Sequence, residues 1–148
     1  MAEKNKISPR HIARRCAVQA LYQNDMTGEM INNVRAQFMA DEDRIKGANE
    51  ELFSSLLRGA YEKSDEADAL IATVANRSVE QLDPVERAIL RLAIYELKYS
   101  IEVPYRVILN EAIELAKVFG AEQSHKFVNA TLDKLTDELR AAEKSAGQ

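Results

Sequence analysis

The chain has 148 residues, with 20 Lys+Arg against 24 Asp+Glu and 46% hydrophobic content, which suits one domain with a real core. Five Gly and three Pro are too few for the turns of an all-β fold, so a few long helices joined by short loops are expected. The single cysteine, Cys16, excludes an intrachain disulfide and a thiolate metal cluster. No segment resembles a secretory signal and no apolar run approaches the ~20 residues that span a bilayer, so a cytoplasmic protein without membrane contact is expected. The net charge of −4 is uneven: residues 1–15 hold Lys4, Lys6, Arg10, Arg14 and Arg15 against Glu3, a local +4, and the rest carries −8. An acidic body with one basic end directs a polyanion to that end. A basic terminus that merely aids solubility is the bland alternative.

Ser8-Pro9 reads as an N-cap followed by proline at the first helical position, which starts a helix that runs to about Asn24 and turns at Gly28. Ile31, Val34 and Phe38 give a second helical stripe. A third helix starts near Asn49, with Leu52, Phe53, Leu56, Leu57, Ala60 and Tyr61 on one face, and continues or breaks at Ser64. Asp83-Pro84-Val85-Glu86 is the strongest helix start, in capping-box order. The helix it opens, to about Tyr99, is apolar around most of its circumference apart from Arg87, Arg91 and Lys98, so it belongs at the centre of the fold. Pro104 opens a further helix that stops at Gly120, and the last one, Gln123 to Arg140, has Val128, Leu132, Leu135 and Leu139 as its seam. The tail, residues 141–148, lacks an apolar anchor and is expected to fray.

Catalytic patterns are missing. His11 and His125 have no partners at metal-ligand or triad spacing, no Gly-rich phosphate loop exists, Cys16 lies on an apolar face, and Glu111 and Glu114 read as solvated charge. Neither an enzyme, a cofactor nor a metal is expected. On a helical wheel Ala13, Cys16, Ala17, Ala20 and Leu21 face the core, while His11, Arg15, Val18 and Tyr22 fall opposite, flanked by Arg14 and Gln19. This places Tyr22 and Val18 on an exposed face, cationic at its start, suited to phosphate and aromatic contacts; the alternative tucks Tyr22 under the second helix. Phe127 lies about 100° from the Val128 seam, behind His125 and Lys126. It either stacks on single-stranded RNA or wedges between helices.

Four blocks in order, RHIARRCAVQALY at 10–22, VERAILRLAIYEL at 85–97, VPYRVILNEAIELAKVFG at 103–120 and SHKFVNATLDKL at 124–135, resemble the NusB family of transcription antitermination factors. The resemblance covers nearly the whole chain. It implies an all-α, NusB-like fold of two packed three-helix bundles in one compact RNA-binding domain, with residues 1–80 and 81–140 as its halves and 141–148 as a flexible tail. It also implies a non-enzymatic adaptor that binds boxA RNA of ribosomal RNA operon leaders together with NusE, a small-subunit ribosomal protein. Other Nus factors and RNA polymerase are engaged indirectly, and self-association as a homodimer is a further family trait. The family's arginine-rich RNA segment falls on Arg10, His11, Arg14 and Arg15, with His11 and Ile12 departing from its arginine density and Lys4 and Lys6 supplying charge from an arm. Further RNA contacts fall on Gln123, Lys126 and Phe127, where Gln123 replaces an acidic residue. Tyr22 and Glu86, with Val18 beside Tyr22 on the exposed face, match the NusE side. Glu86 is read either as that outward partner contact or as the cap of its own helix. A methyltransferase carrying a domain of this kind would need a separate cofactor domain with catalytic cysteines, which is not expected here.

Overall fold

The computed structural model describes residues 7–146, all of whose regular structure is helical. The expected caps form. Ser8 Oγ accepts from the His11 N–H at 3.0 Å and starts α1 (Pro9–Thr27), which ends at Gly28 with φ 75°. That left-handed turn strains any residue with a Cβ. Helices α2 (Ile31–Ala40) and the short α3 (Glu42–Ile45) follow. Asn49 then caps α4 (Glu50–Glu62) by accepting from the Leu52 N–H. The chain does break near Ser64, at Lys63, giving a separate α5 (Ser64–Val74). A 3₁₀ turn at Val79–Gln81 leads to α6 (Pro84–Tyr99), then α7 (Tyr105–Phe119), α8 (Ser124–Leu139) and α9 (Ala141–Ala146).

Helices α1, α2 and α4 pack on one another, as do α6, α7 and α8, giving two groups of three. They share one core because α6 also packs against α1, α4 and α5. Ile89, Leu90, Ile94 and Leu97 of α6 are buried among Phe53, Leu56 and Leu57 of α4 and Ile108, Leu115 and Leu132 of the second group. No helix of the described residues is long and apolar enough to cross a membrane.

The polar side of α6 is a docking seam and not a solvated stripe. Arg87 donates from Nε to Asp25 at 2.8 Å and from Nη1 to the carbonyls of Val79 and Leu82. Arg91 forks onto both carboxylate oxygens of Asp68, and Lys98 reaches Glu66 at 2.6 Å. The hydrogen bonds from Lys98 and from the Tyr99 hydroxyl hold the Glu66 carboxyl down at about 2.

Four features of the fold differ from what the sequence led one to expect. Arg14 is buried with 4% exposure, not outward: it forks onto Glu96 at 2.8 and 2.9 Å, and its Nη1 lies 3.6 Å from Glu111. Burial opposes that charge, but hydrogen bonds and charge from Glu96, then Glu111, more than offset it and hold the guanidinium above its ordinary range. Val18 is 2% exposed, buried in the core that α1 shares with the helices packed around it. Glu86 neither caps α6 nor faces outward. Asp83 alone accepts from the Val85 and Glu86 N–H groups, and the Glu86 carboxylate turns inward to accept from Ser124 Oγ at 2.8 Å. The tail does not fray at 141. Glu143 of α9 accepts from the Tyr105 N–H and from buried Arg140, and Lys144 pairs with Asp137.

Two outcomes follow. Replacing Arg14 with alanine strands the buried Glu96 carboxylate, and urea melts should show a loss of about 3–5 kcal/mol. A loss below about 1 kcal/mol means the pair is solvated. For Glu66 the folded value lies below that of the unfolded chain, so its contribution to stability is present above about pH 4.5 and is lost as pH falls towards about 2. Thermal melts should therefore show Glu66→Gln below wild type at neutral pH, with the gap closing by about pH 2.

Candidate nucleic-acid and partner interface

Three surfaces collect the candidate residues. The first is the start of α1. Pro9 pre-sets the helical φ and Ser8 fixes the first turn, so Arg10 is held out in solvent while Arg15 is half-buried. His11 is half-buried, with Nδ1 2.8 Å from Glu111 Oε1 of α7. Lys4 and Lys6 lie outside the described residues.

The second surface is the start of α8. Gly120 and Ser124 are in close contact: a Cβ on Gly120 would fall 2.7 Å from the Ser124 Cβ and 2.8 Å from the Ala116 carbonyl oxygen. This tight corner lets Ser124, itself buried, reach Glu86. Gln123 and Lys126 are exposed. Phe127 is partly buried against the core, with the Arg77 guanidinium 4.3 Å from the centre of its ring. An arginine stacked on an aromatic ring beside Lys126, at the positive end of a helix, forms a flat cationic platform. Arg77 carried no signal in the sequence, because an isolated arginine in a bend belongs to no periodic pattern.

The third surface is a cleft of about 390 Å³ lined by Val18, Tyr22, Phe38, Arg44, Val85 and Phe119, among others. Tyr22 is 39% exposed at its rim, as the wheel of α1 indicates, and exposed Met26, one turn further along α1, adds to its apolar lining. Val18 forms part of the cleft wall, and Arg44 lies over the Phe38 ring at 4.4 Å. Glu86 is adjacent in sequence to Val85 of this cleft but directs its carboxylate the other way, to Ser124. Phe38 was legible as a core position. Its place beside Phe119 was not, since the two lie on helices far apart in the chain.

Among the described residues no side-chain hydrogen bond or ion pair links the α1 start to the α8 start. They are joined through the core by α7, which packs on both helices.

The NusB family model matches residues 11–137. The transcription antitermination protein NusB of Mannheimia succiniciproducens is 48% identical over 136 residues, spanning 92% of this chain and 94% of that protein. Its counterpart in Photorhabdus laumondii is 50% identical over 129 residues, spanning 87% and 93%. Among solved structures, T. maritima NusB superposes with a TM-score of 0.78 at 35% identity, covering 90% of this chain and 94% of the other. A chain from the crystal structure of antitermination factors NusB and NusE in complex with dsRNA does so at 0.75 and 28% identity, covering 84% and 92%. An all-helical fold shared with such structures, and a family match that runs from residue 11 in α1 through α6 to residue 137 in α8, mean that this chain belongs to the NusB family.

Proposed function

We propose that the protein is a transcription antitermination factor that binds boxA RNA of ribosomal RNA operon leaders together with NusE and serves as an adaptor to the antitermination complex on RNA polymerase. The observation that carries this reading is the division of α1. One end presents Arg10, Arg15 and His11 to a polyanion, and Tyr22 stands at the mouth of a preformed apolar cleft roughly 18 Å further along the same rigid helix. A single helix thus offers one end to nucleic acid and the other to a protein. Lys4, Lys6, Gln123, Lys126 and Phe127 complete the proposed RNA surface, and Arg77 joins them through its stack on Phe127. Arg14 is assigned to holding the helix in place and not to contacting RNA. Val18 acts on NusE only by shaping the cleft, and Glu86 only by fixing the α6–α8 corner.

No chemistry is assigned to the protein. Cys16 is fully buried, its thiol donates to the Arg44 carbonyl at 3.3 Å, and burial pushes its pKa up, all against a nucleophile. The proposed compartment is the cytoplasm, where nascent RNA and ribosomal proteins are present.

The test is titration of labelled boxA RNA with and without NusE. Replacing Arg10 and Arg15 together by alanine should weaken RNA binding and lower the slope of log K against log salt by about 1.5–2, two phosphate contacts fewer. An unchanged slope places the RNA elsewhere. Separately, Tyr22→Asp should weaken capture of NusE while stability stays within about 1 kcal/mol of wild type, since the ring is partly in solvent. Undiminished NusE capture removes Tyr22 from the interface.

A further inference from the structure

His11 stands where the other charges of its helix leave a gap. The Arg14 charge is taken up by Glu96 and Glu111, so the outward cations of the α1 start are Arg10 and Arg15, with His11 beside Arg10. A carboxylate only accepts, so the 2.8 Å contact to Glu111 places a hydrogen on Nδ1 of His11. The two ring nitrogens lie on opposite edges of the imidazole. Tying Nδ1 to α7 therefore turns Nε2 away from it, and the side chain keeps 21% of its exposure. Nε2 has no hydrogen-bond partner among the described residues.

What Nε2 can do depends on the proton. With Nδ1–H committed to Glu111, neutral His11 presents a lone pair, which a phosphate oxygen does not match. Protonated His11 presents a second N–H, a charge-assisted donor to phosphate. The groups facing it reinforce the contrast. They are Glu111 from α7 and Arg14 from α1, backed by Glu96 from α6, with Arg10 and Arg15 flanking on α1. The cluster of Arg14, Glu96, Glu111 and His11 carries −1 with a neutral imidazole and zero with an imidazolium. Uptake of one proton thus removes a negative charge behind the RNA surface and adds a donor in front of it. An arginine at this position would be charged throughout and could not do this.

We propose that Glu111 positions His11 as a proton-dependent contact to an RNA phosphate, so that RNA affinity rises as pH falls through the range in which histidine takes up its proton. This rests on the RNA-binding role of the α1 surface proposed above.

The chain has two histidines, His11 and His125, which makes the experiment clean. Labelled boxA RNA is titrated at constant salt with NusE present, at about pH 8 and about pH 6. Wild type should bind roughly fivefold tighter at the lower pH, with a salt slope steeper by about one contact. His11→Gln should abolish the difference between the two pH values and His125→Gln should retain it, NusE being common to all arms. Glu111→Gln should lose most of the gain at the lower pH. By simple charge removal it would bind RNA more tightly at both. Glu111→Asp, which keeps the charge but withdraws it from the ring, carries the same test should Glu111→Gln not fold. A pH response that survives in His11→Gln, or a Glu111→Gln protein that tightens at both pH values, overturns the inference and leaves the RNA-binding role standing. Failure of wild type to bind boxA RNA at either pH overturns both.

Discussion

A guanidinium cannot be buried alone, and the position of Arg14 commits three helices to one arrangement. Its fork onto Glu96 fixes the rotation of α1 against α6, and its contact with Glu111 draws in α7. The rotation of α1 decides everything on its surface. Cys16, Ala17, Val18 and Ala20 must be buried, and Arg10 and Tyr22 must face out. A pair of this kind adds little net stability relative to a well-packed apolar pair, but it punishes wrong rotations severely, because each leaves a charge unpaired in the interior. It therefore selects one packing of the small-residue face, where alanines alone would tolerate several.

The local punctuation of the chain was legible because caps are short-range chemistry. Ser8, Asn49 and Asp83 each hold the helix start their spacing indicates, and the nearly all-apolar α6 lies where such a helix must lie. The failures share a different cause. A helical wheel tells which residues share a face, not what stands opposite that face. Arg14 looked like solvent-facing charge because its carboxylate partners lie 82 and 97 residues away. Glu86 looked like a capping-box member, yet a buried serine on α8 took its carboxylate while Asp83 satisfied both N–H groups alone. Glu111 was read as solvated for the same reason. The errors at Arg14, Glu86 and Glu111 concern charged groups whose partners come from distant helices, and the error at Val18 concerns an apolar residue whose face the rest of the core covers. None concerns an apolar residue of α6.

At the candidate site the sequence carried Tyr22, Arg10 and Lys126 to their places, since no other helix covers the parts of the surface that helical phase assigns to them. The cleft beside Tyr22 and the stacking of Arg77 on Phe127 were beyond it. Both are built where separate helices meet, from residues that have no common period.

The seam along α6 has a consequence for how the molecule opens. Helix α5 fully buries Ala67 and Ile71, packs Leu70 and Val74 partly against the core, and is tied to α6 by Asp68 and Glu66 through Arg91, Lys98 and Tyr99. Partly exposed ion pairs contribute far less than an apolar face, so α5 detaches before the deeply buried α6 in native-state fluctuations. Its backbone amides then exchange with solvent hydrogen well before those of α6, and the chain has a sub-global opening that leaves the α1–α6 junction intact.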